Sequence, residues 1–497
     1  MAATHTRPAW GRELMVVMGF AALCVAVRLP FWFPSVIGWD ESTFILMGQE
    51  ILDGRLPYVE LTDNKPPLLY AAFALFLAMH SSVMAVRIGG ALCVVIAGYV
   101  VYRIGARLHT SKTGVIGGLL SIVMVGGVTT SGQATMSEIV ALVPLLGATA
   151  LLLAPRSTLS SFLLGFLLAA AVLVRTNLAY VALAVTALVL ARLVRARSPA
   201  ALGETVAFGL GALLPPGIVV GLYGSHGHLD TLWAATVVAS LNYSAQQSPL
   251  TTLATLVADN LVLVVIVGVA VVPLYGLWRH TAGHKRHMIV CFAVVAVATG
   301  FSIVMSGVSR RHYLIQLVPF LAIPVAVSLS AGLSARHRRL TALVVVLGLM
   351  IPAWKTARQY GHVITRLRDG QSLFDDRGYR IARYLREVNP SRKPVYLMTD
   401  HIAYWLTGTR PPTPMAAHPS AVAKGYLIHA VVGPSATPRS EMEKILATRP
   451  RYIVTRARLG YMTQAPEAMV VLENRLATTY QLMRVIDGSQ IYVLREE

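Results

Sequence analysis

The sequence predicts a polytopic α-helical membrane protein of about eleven transmembrane helices, with a small C-terminal α/β domain. Three observations lead there. Of 497 residues, 55% are hydrophobic and only 13% are charged, about half the charge of an ordinary soluble chain, so most of the protein must reside in lipid. Apolar runs near the length a bilayer needs, about 20 residues, recur from residue 14 to residue 354. From about Lys355 the composition turns to that of a soluble domain.

In order, the expected spans are 14–33, 83–102, 114–130, 138–154, 158–174, 177–194, 201–222, 253–278, 288–306, 313–333 and 340–354. The first follows Arg7 and Arg12, but its length and the lack of a small-residue cleavage site after it mark a retained anchor rather than a removed signal. Pro66 to Met79 is also apolar. Its shortness and its two opening prolines fit a helix lying on or dipping into the outer surface.

Leaving that helix out of the count gives a consistent distribution of charge. With a cytoplasmic N-terminus, the inner connections hold Arg103, Arg107 and Lys112; Arg156; Arg192, Arg195 and Arg197; Arg279, Lys285 and Arg286; and Arg336, Arg338 and Arg339. Every inner loop is basic, as the positive-inside bias requires. The outer connections hold Trp39 to Lys65, Glu138, Arg175, the Gly224 to Ser248 loop, and Arg310 with Arg311. The C-terminal segment then also lies outside. The net charge of +20 is spread over short clusters between apolar runs, which points to membrane orientation and away from nucleic acid.

Beyond Lys355, Asp376 to Val388 shows helical spacing of Ile381, Tyr384 and Leu385, while Pro394 to Met398, Arg451 to Thr455 and Gln490 to Leu494 read as short strands. The domain organisation is therefore a transmembrane portion, 1–354, with a first outer loop at 34–82, and an extracytoplasmic α/β domain, 355–497. Cys24, Cys93 and Cys291 fall inside apolar segments, so neither a disulfide nor a cysteine metal site is expected. No repeat of fixed period is visible, which weakens the case for a transporter built from duplicated halves.

Residues with chemistry concentrate at one rim. Asp40 and Glu41 follow the first span directly; a carboxylate there suits a general base acting on an acceptor hydroxyl, and acidic residues equally suit the start of a helix over Ser42 to Asp53. In Asp63-Asn64-Lys65-Pro66-Pro67 the prolines fix the backbone beside a cation, as a phosphate site would need, although an interface lysine also snorkels. Arg310-Arg311-His312-Tyr313 and Arg175 break the positive-inside pattern, and arginine is suited to forked phosphate contacts; lipid head-group anchoring is the plainer reading. Glu138 is a candidate partner or metal ligand.

Taken together, the Asp-Glu pair after the first span, the Lys65 to Tyr70 phrase Lys-Pro-Pro-Leu-Leu-Tyr, the outer Arg-His-Tyr, and the later Ala403-Tyr404-Trp405-Leu406-Thr407-Gly408 resemble the GT-C glycosyltransferases. The nearest branch is that of bacterial relatives of dolichyl-phosphate-mannose protein mannosyltransferases and of the lipid A aminoarabinose transferase. The resemblance implies an enzyme that moves one sugar, hexosyl or pentosyl, from a polyprenyl-phosphate donor to a glycan, lipid or protein hydroxyl at the extracytoplasmic face of a bacterial inner or plasma membrane, with inversion. Asp40 would match the family's base, and Glu41 would assist acceptor placement or a metal contact. Lys65, Arg175, Arg310, Arg311 and Tyr313 would hold the donor phosphate, with Asp63, Glu138, His312 and Tyr404 as acceptor or supporting residues. No cofactor is required by the sequence, and dependence on a divalent metal stays open. The chain has fewer expected spans than the aminoarabinose enzyme and lacks the longer luminal insertions of eukaryotic mannosyltransferases, so the acceptor stays open too. The rival reading is a transporter or flippase of a lipid-linked substrate, which would place its ionisable residues near mid-membrane along a pathway.

Overall fold

The computed structural model describes residues 9–127, 130–330 and 335–495. Arg7 and the ends of two expected spans, residues 128–129 and 331–333, lie outside the described residues. Every expected span forms helix. Among the described residues, six helices are long and apolar enough to cross a bilayer: Trp10–Phe31, Val83–Leu108, Thr176–Ala196, Pro199–Ser225, Gly283–Val304 and Ala335–Arg368. The bent pair Pro249–Asp259 and Val264–Arg279 adds a seventh if it is taken as one span. Ser111–Gly127, Ser137–Leu152, Thr158–Val174 and Val318–Ser330 are helices of 17, 16, 17 and 13 residues; the first three have the expected lengths to within a residue, and the last begins at Val318 where the expected span began at 313.

The chain divides into two compact units. The first comprises residues 1–32, 87–217 and 248–362. Within it small residues set helix spacing: a Cβ at Gly165 would collide with the Phe208 carbonyl, and one at Gly211 with the Phe162 carbonyl, so Thr158–Val174 and Pro199–Ser225 meet backbone to backbone. That is how helices associate in lipid, where no hydrophobic drive separates one apolar surface from another.

The second unit comprises residues 33–86, 218–247 and 363–497. Helix Trp39–Leu52 packs on helix Pro67–Met79 through Phe44 and Phe73, whose ring centroids are 5.4 Å apart. The C-terminal segment carries four strands: β1 (Val395–Leu397), β2 (Tyr452–Arg456), β3 (Tyr480–Ile486) and β4 (Ser489–Leu494), in the order β1-β2-β4-β3. β1 runs parallel to β2, and the other pairs are antiparallel. Tyr396, Met398, Ile445, Ile453 and Tyr480 are core residues beneath the sheet. Asp376 caps helix Arg377–Val388 by accepting the Tyr379 N–H, and both its oxygens also receive Ser35, from N and Oγ at 2.6 and 2.5 Å.

The expected strands are β1, β2 and β4; β3 is an addition. The expected boundary at residue 355 falls inside helix Ala335–Arg368, and the division between the units comes after residue 362. The C-terminal segment shares its unit with the first loop, as the hydrogen bond from Thr62 N to Pro414 O illustrates.

Candidate active site

The helix carrying the acidic pair begins earlier than its composition suggested. It spans Trp39–Leu52, with Gly38 in extended conformation as N-cap and no side chain capping it. Asp40 and Glu41 therefore lie in the first turn, where the exposed amides favour negative charge; Asp40 is not the cap. The two acids then diverge. Glu41 is 1% exposed, whereas the Asp40 side chain is 39% exposed. Of the two, Asp40 is the one that combines access to solvent with a position at the helix start.

Beside Asp40 stands a residue that the sequence reading did not select. His418 Nε2 lies 3.5 Å from Asp40 Oδ1. Trp39 packs edge-on against His418, His401 and Tyr461, with centroids at 6.1, 6.3 and 5.6 Å. His401 Nε2 is 3.0 Å from Thr43 Oγ1 on the same helix. Burial pushes both histidines below the usual range; for His418 Lys424 adds to this and Asp40 opposes it. Both rings are therefore neutral at pH 7. No signal local to either segment could have joined residue 40 to residue 418.

In the loop that follows, Asp63 Oδ2 accepts the Tyr70 hydroxyl at 2.8 Å, and its Oδ1 accepts the Asn64 N–H at 2.8 Å. The Lys65 carbonyl accepts from Tyr58 Oη at 2.5 Å, so Pro66 and Pro67 follow a pinned residue. Lys65 Nζ donates to Asn64 Oδ1 at 3.2 Å and lies 5.8 Å from the ring centre of Tyr243. Tyr404, grouped with the supporting residues in the sequence, is fully buried and its hydroxyl accepts the Leu397 N–H at 2.8 Å. It holds β1 to helix Ile402–Thr407 inside the core.

The first unit gathers four of the other candidates. Arg175 ends helix Thr158–Val174 in extended backbone. Its Nη1 pairs with Glu138 Oε1 and donates to Ser137 Oγ at 2.7 Å, while Nε donates to Asn177 Oδ1 at 3.1 Å. The guanidinium lies 4.6 Å from the Tyr313 ring centre, and His312 Nε2 is 3.9 Å from Glu138 Oε1. Asn177 extends the network to Ser302 Oγ at 3.0 Å and Gln316 Oε1 at 3.2 Å. Arg175 is thus a buried cation with a buried partner. Arg310 and Arg311, by contrast, are exposed and make no ion pair among the described residues. Tyr180, three residues after Asn177, and Phe301, one before Ser302, begin an apolar groove of about 820 Å³ that Leu183, Val297, Tyr275 and Trp278 continue.

Among the described residues no three His, Cys, Asp or Glu side chains converge as metal ligands. Asp40, His401 and His418 are neighbours without forming such a set. The second unit offers a carboxylate with a neutral imidazole at its side; the first, taken by itself, offers two exposed guanidinium groups.

Residues 64–218 match the family of dolichyl-phosphate-mannose-protein mannosyltransferases. Among solved structures, ArnT from Cupriavidus metallidurans in the apo state aligns over 96% of this chain and 98% of its own, at 12% identity and a TM-score of 0.58. The same protein bound to undecaprenyl phosphate aligns over 98% of both chains, at 14% identity and 0.53. The archaeal oligosaccharyltransferase AglB from Archaeoglobus fulgidus, in complex with an inhibitory peptide and a dolichol-phosphate, aligns over 98% of this chain and 74% of its own, at 13% and 0.51. No curated protein matches. Helices throughout, a small sheet at the C-terminal end and agreement along nearly the whole length with two such enzymes give this chain the fold of the GT-C membrane glycosyltransferases.

Proposed function

We propose that this protein transfers a single sugar from a polyprenyl-phosphate donor to an acceptor hydroxyl, with inversion, at the extracytoplasmic face of the membrane, using Asp40 as general base. The observation that carries this reading is Asp40 itself. It is a solvent-reachable carboxylate in the first turn of a helix, stabilised as an anion by that turn, beside an uncharged imidazole. A carboxylate so held takes a proton from an attacking hydroxyl while charge collects on the departing lipid phosphate. In the first unit Arg310 and Arg311 supply cations for a phosphate and the apolar groove beginning at Tyr180 and Phe301 suits a prenyl chain; Lys65 is a candidate cation of the second unit. Along helix Gly283–Val304 the groove runs from Phe301 to Ile289, about 18 Å at 1.5 Å per residue, room for a few isoprene units. Arg175 serves by fixing Glu138 and Tyr313.

The test is Asp40→Asn. Gly38, not Asp40, is the N-cap, so the amide forfeits no cap; the charge–dipole interaction it loses is about 0.3–1 kcal/mol, and the melting temperature should move little. Turnover with a polyprenyl-phosphate sugar should fall by about 10² to 10⁴. An Asn variant of normal activity removes Asp40 from the mechanism.

A further inference from the structure

Three features fix the imidazole of His418. Its Nδ1 accepts the backbone N–H of Ser420 at 3.1 Å, with Ser420 Oγ at 3.0 Å. In the neutral ring the proton therefore sits on Nε2, the nitrogen turned toward Asp40 Oδ1. The rings of Trp39 and His401 flank it at 6.1 and 5.4 Å. The chain just before it is tied to the first loop by the bond from Thr62 N to Pro414 O. The His418 side chain is 10% exposed and that of Asp40 39% exposed, which makes a sheltered donor beside an accessible acceptor.

We propose that His418 is the positioning residue for Asp40: its neutral Nε2–H holds Oδ1, orients the carboxylate plane, and directs Oδ2 at the acceptor hydroxyl. This inference rests on reading Asp40 as the base. In the transfer, the acceptor proton goes to Oδ2 and the acceptor oxygen bonds to the anomeric carbon. The electron pair of the breaking carbon–oxygen bond leaves on the lipid phosphate. His418 keeps its own proton throughout, because Nδ1 is already engaged by Ser420 and Nε2 carries the hydrogen, so it is not a relay. A neutral donor holds the carboxylate with less loss of basicity than an imidazolium would. The charged or titratable groups facing the ring are Asp40, Asp63, Lys424 and His401; burial and Lys424 favour the neutral form and the two carboxylates oppose it.

The experiment compares His418→Ala, His418→Gln, Asp40→Asn and the Asp40→Asn/His418→Ala double variant for kcat, donor KM, pH profile and Tm. Gln can place an amide N–H near the position of Nε2. His418→Ala should lose about 10- to 100-fold in kcat, the scale of an ångström of misplacement, with donor KM nearly unchanged. Its acid limb should move to higher pH, since the carboxylate has lost a donor. Gln should recover most of the rate, and the double variant should be no slower than Asp40→Asn alone. Normal kcat in His418→Ala while Asp40→Asn is inactive overturns the positioning role and spares the base. Equal losses in Ala and Gln that track a fall in Tm reduce His418 to packing and overturn it as well. A fully active Asp40→Asn removes the base and this inference with it.

Discussion

Arg175 and Arg311 look alike as sequence exceptions and differ as side chains. Arg175 is 5% exposed and answers a Glu138 that is fully buried; Arg311 is exposed. Removing one partner of a buried pair leaves an uncompensated charge, at a cost of about 3–5 kcal/mol. Arg175→Ala should therefore lower Tm sharply, and adding Glu138→Gln should restore part of it. Arg311→Ala should leave Tm in place and raise donor KM by an amount worth about 1–3 kcal/mol, typical of a charged hydrogen bond. If the two variants behave alike in both measurements, the distinction is wrong. The histidines give a second prediction at this scale. With His401 and His418 held below their usual range, the unfolded chain binds protons that the folded chain does not as pH drops through about 6.5. Stability is then full above that value and declines below it. Thermal scans from pH 8 to pH 5 should show the decline, smaller in His418→Gln.

Helix Trp39–Leu52 depends on one close approach. A Cβ at Gly48 would sit 2.9 Å from both the Ala74 nitrogen and the Phe73 Cβ, backbone and stem atoms that cannot rotate away. Gly48→Val should cost about 1–3 kcal/mol or more by overpacking and lower both Tm and turnover, whereas Gly54→Ala at the exposed end, with open space but φ +77°, should cost backbone strain without disturbing the helix pair. The comparison separates packing from chain entropy by calorimetry and activity. Elements of this kind show how far sequence reading reaches. Apolar period and length located a helix in every expected span and three of the four strands, because burial in lipid or core writes itself into composition. β3 was missed because its residues from Gln481 to Arg484 are exposed, leaving no alternation to read. The Asp487-Gly488 turn, with φ of +47° and +78°, is a hairpin signal that could have found it. The helix start at Trp39 was missed since its N-cap is a glycine, not a side-chain acceptor. Asp40 was legible from its place after the first span, but His418 was not, because only tertiary structure joins them. Glu138 was legible as a partner for a cation, and only the structure shows that the cation is Arg175.

For the molecule as a whole, the first loop, the 218–247 segment and the C-terminal segment share one unit. Within it Lys65 lies over Tyr243, Tyr243 packs on Tyr426 at 5.3 Å, and Tyr223 Oη donates to Pro57 O at 3.1 Å. Segments packed this way must lie on one side of the membrane, so an even number of crossings separates each from the next. Between the first two lie three long helices, Val83–Leu108, Thr176–Ala196 and Pro199–Ser225, an odd number. An odd number of Ser111–Gly127, Ser137–Leu152 and Thr158–Val174 must then cross as well. Between the second and third, Gly283–Val304 and Ala335–Arg368 make two; if the bent pair counts as one span, Val318–Ser330 must cross as the fourth. The eleven crossings expected from the sequence meet both conditions, as nine also would. Cysteines at Glu60, Gln246 and Arg439, all exposed, should react together with an impermeant reagent on intact cells, and a cysteine at Arg195 only after permeabilisation; a split among the first three sinks this layout. Thr62, in the same loop, is 2% exposed and would report nothing. The Ser35–Asp376 bonds, which join residues 341 apart in sequence, have a consequence in time. At about 5–20 residues per second of synthesis, roughly 20–70 s pass between the making of the loop that bears Asp40 and the arrival of the residues that complete it. A nascent chain therefore lacks the bonds that hold Ser35, at the head of that loop, until its last quarter is made; on the reading of Asp40 as base, a ribosome that stalls late leaves an inserted but inactive product.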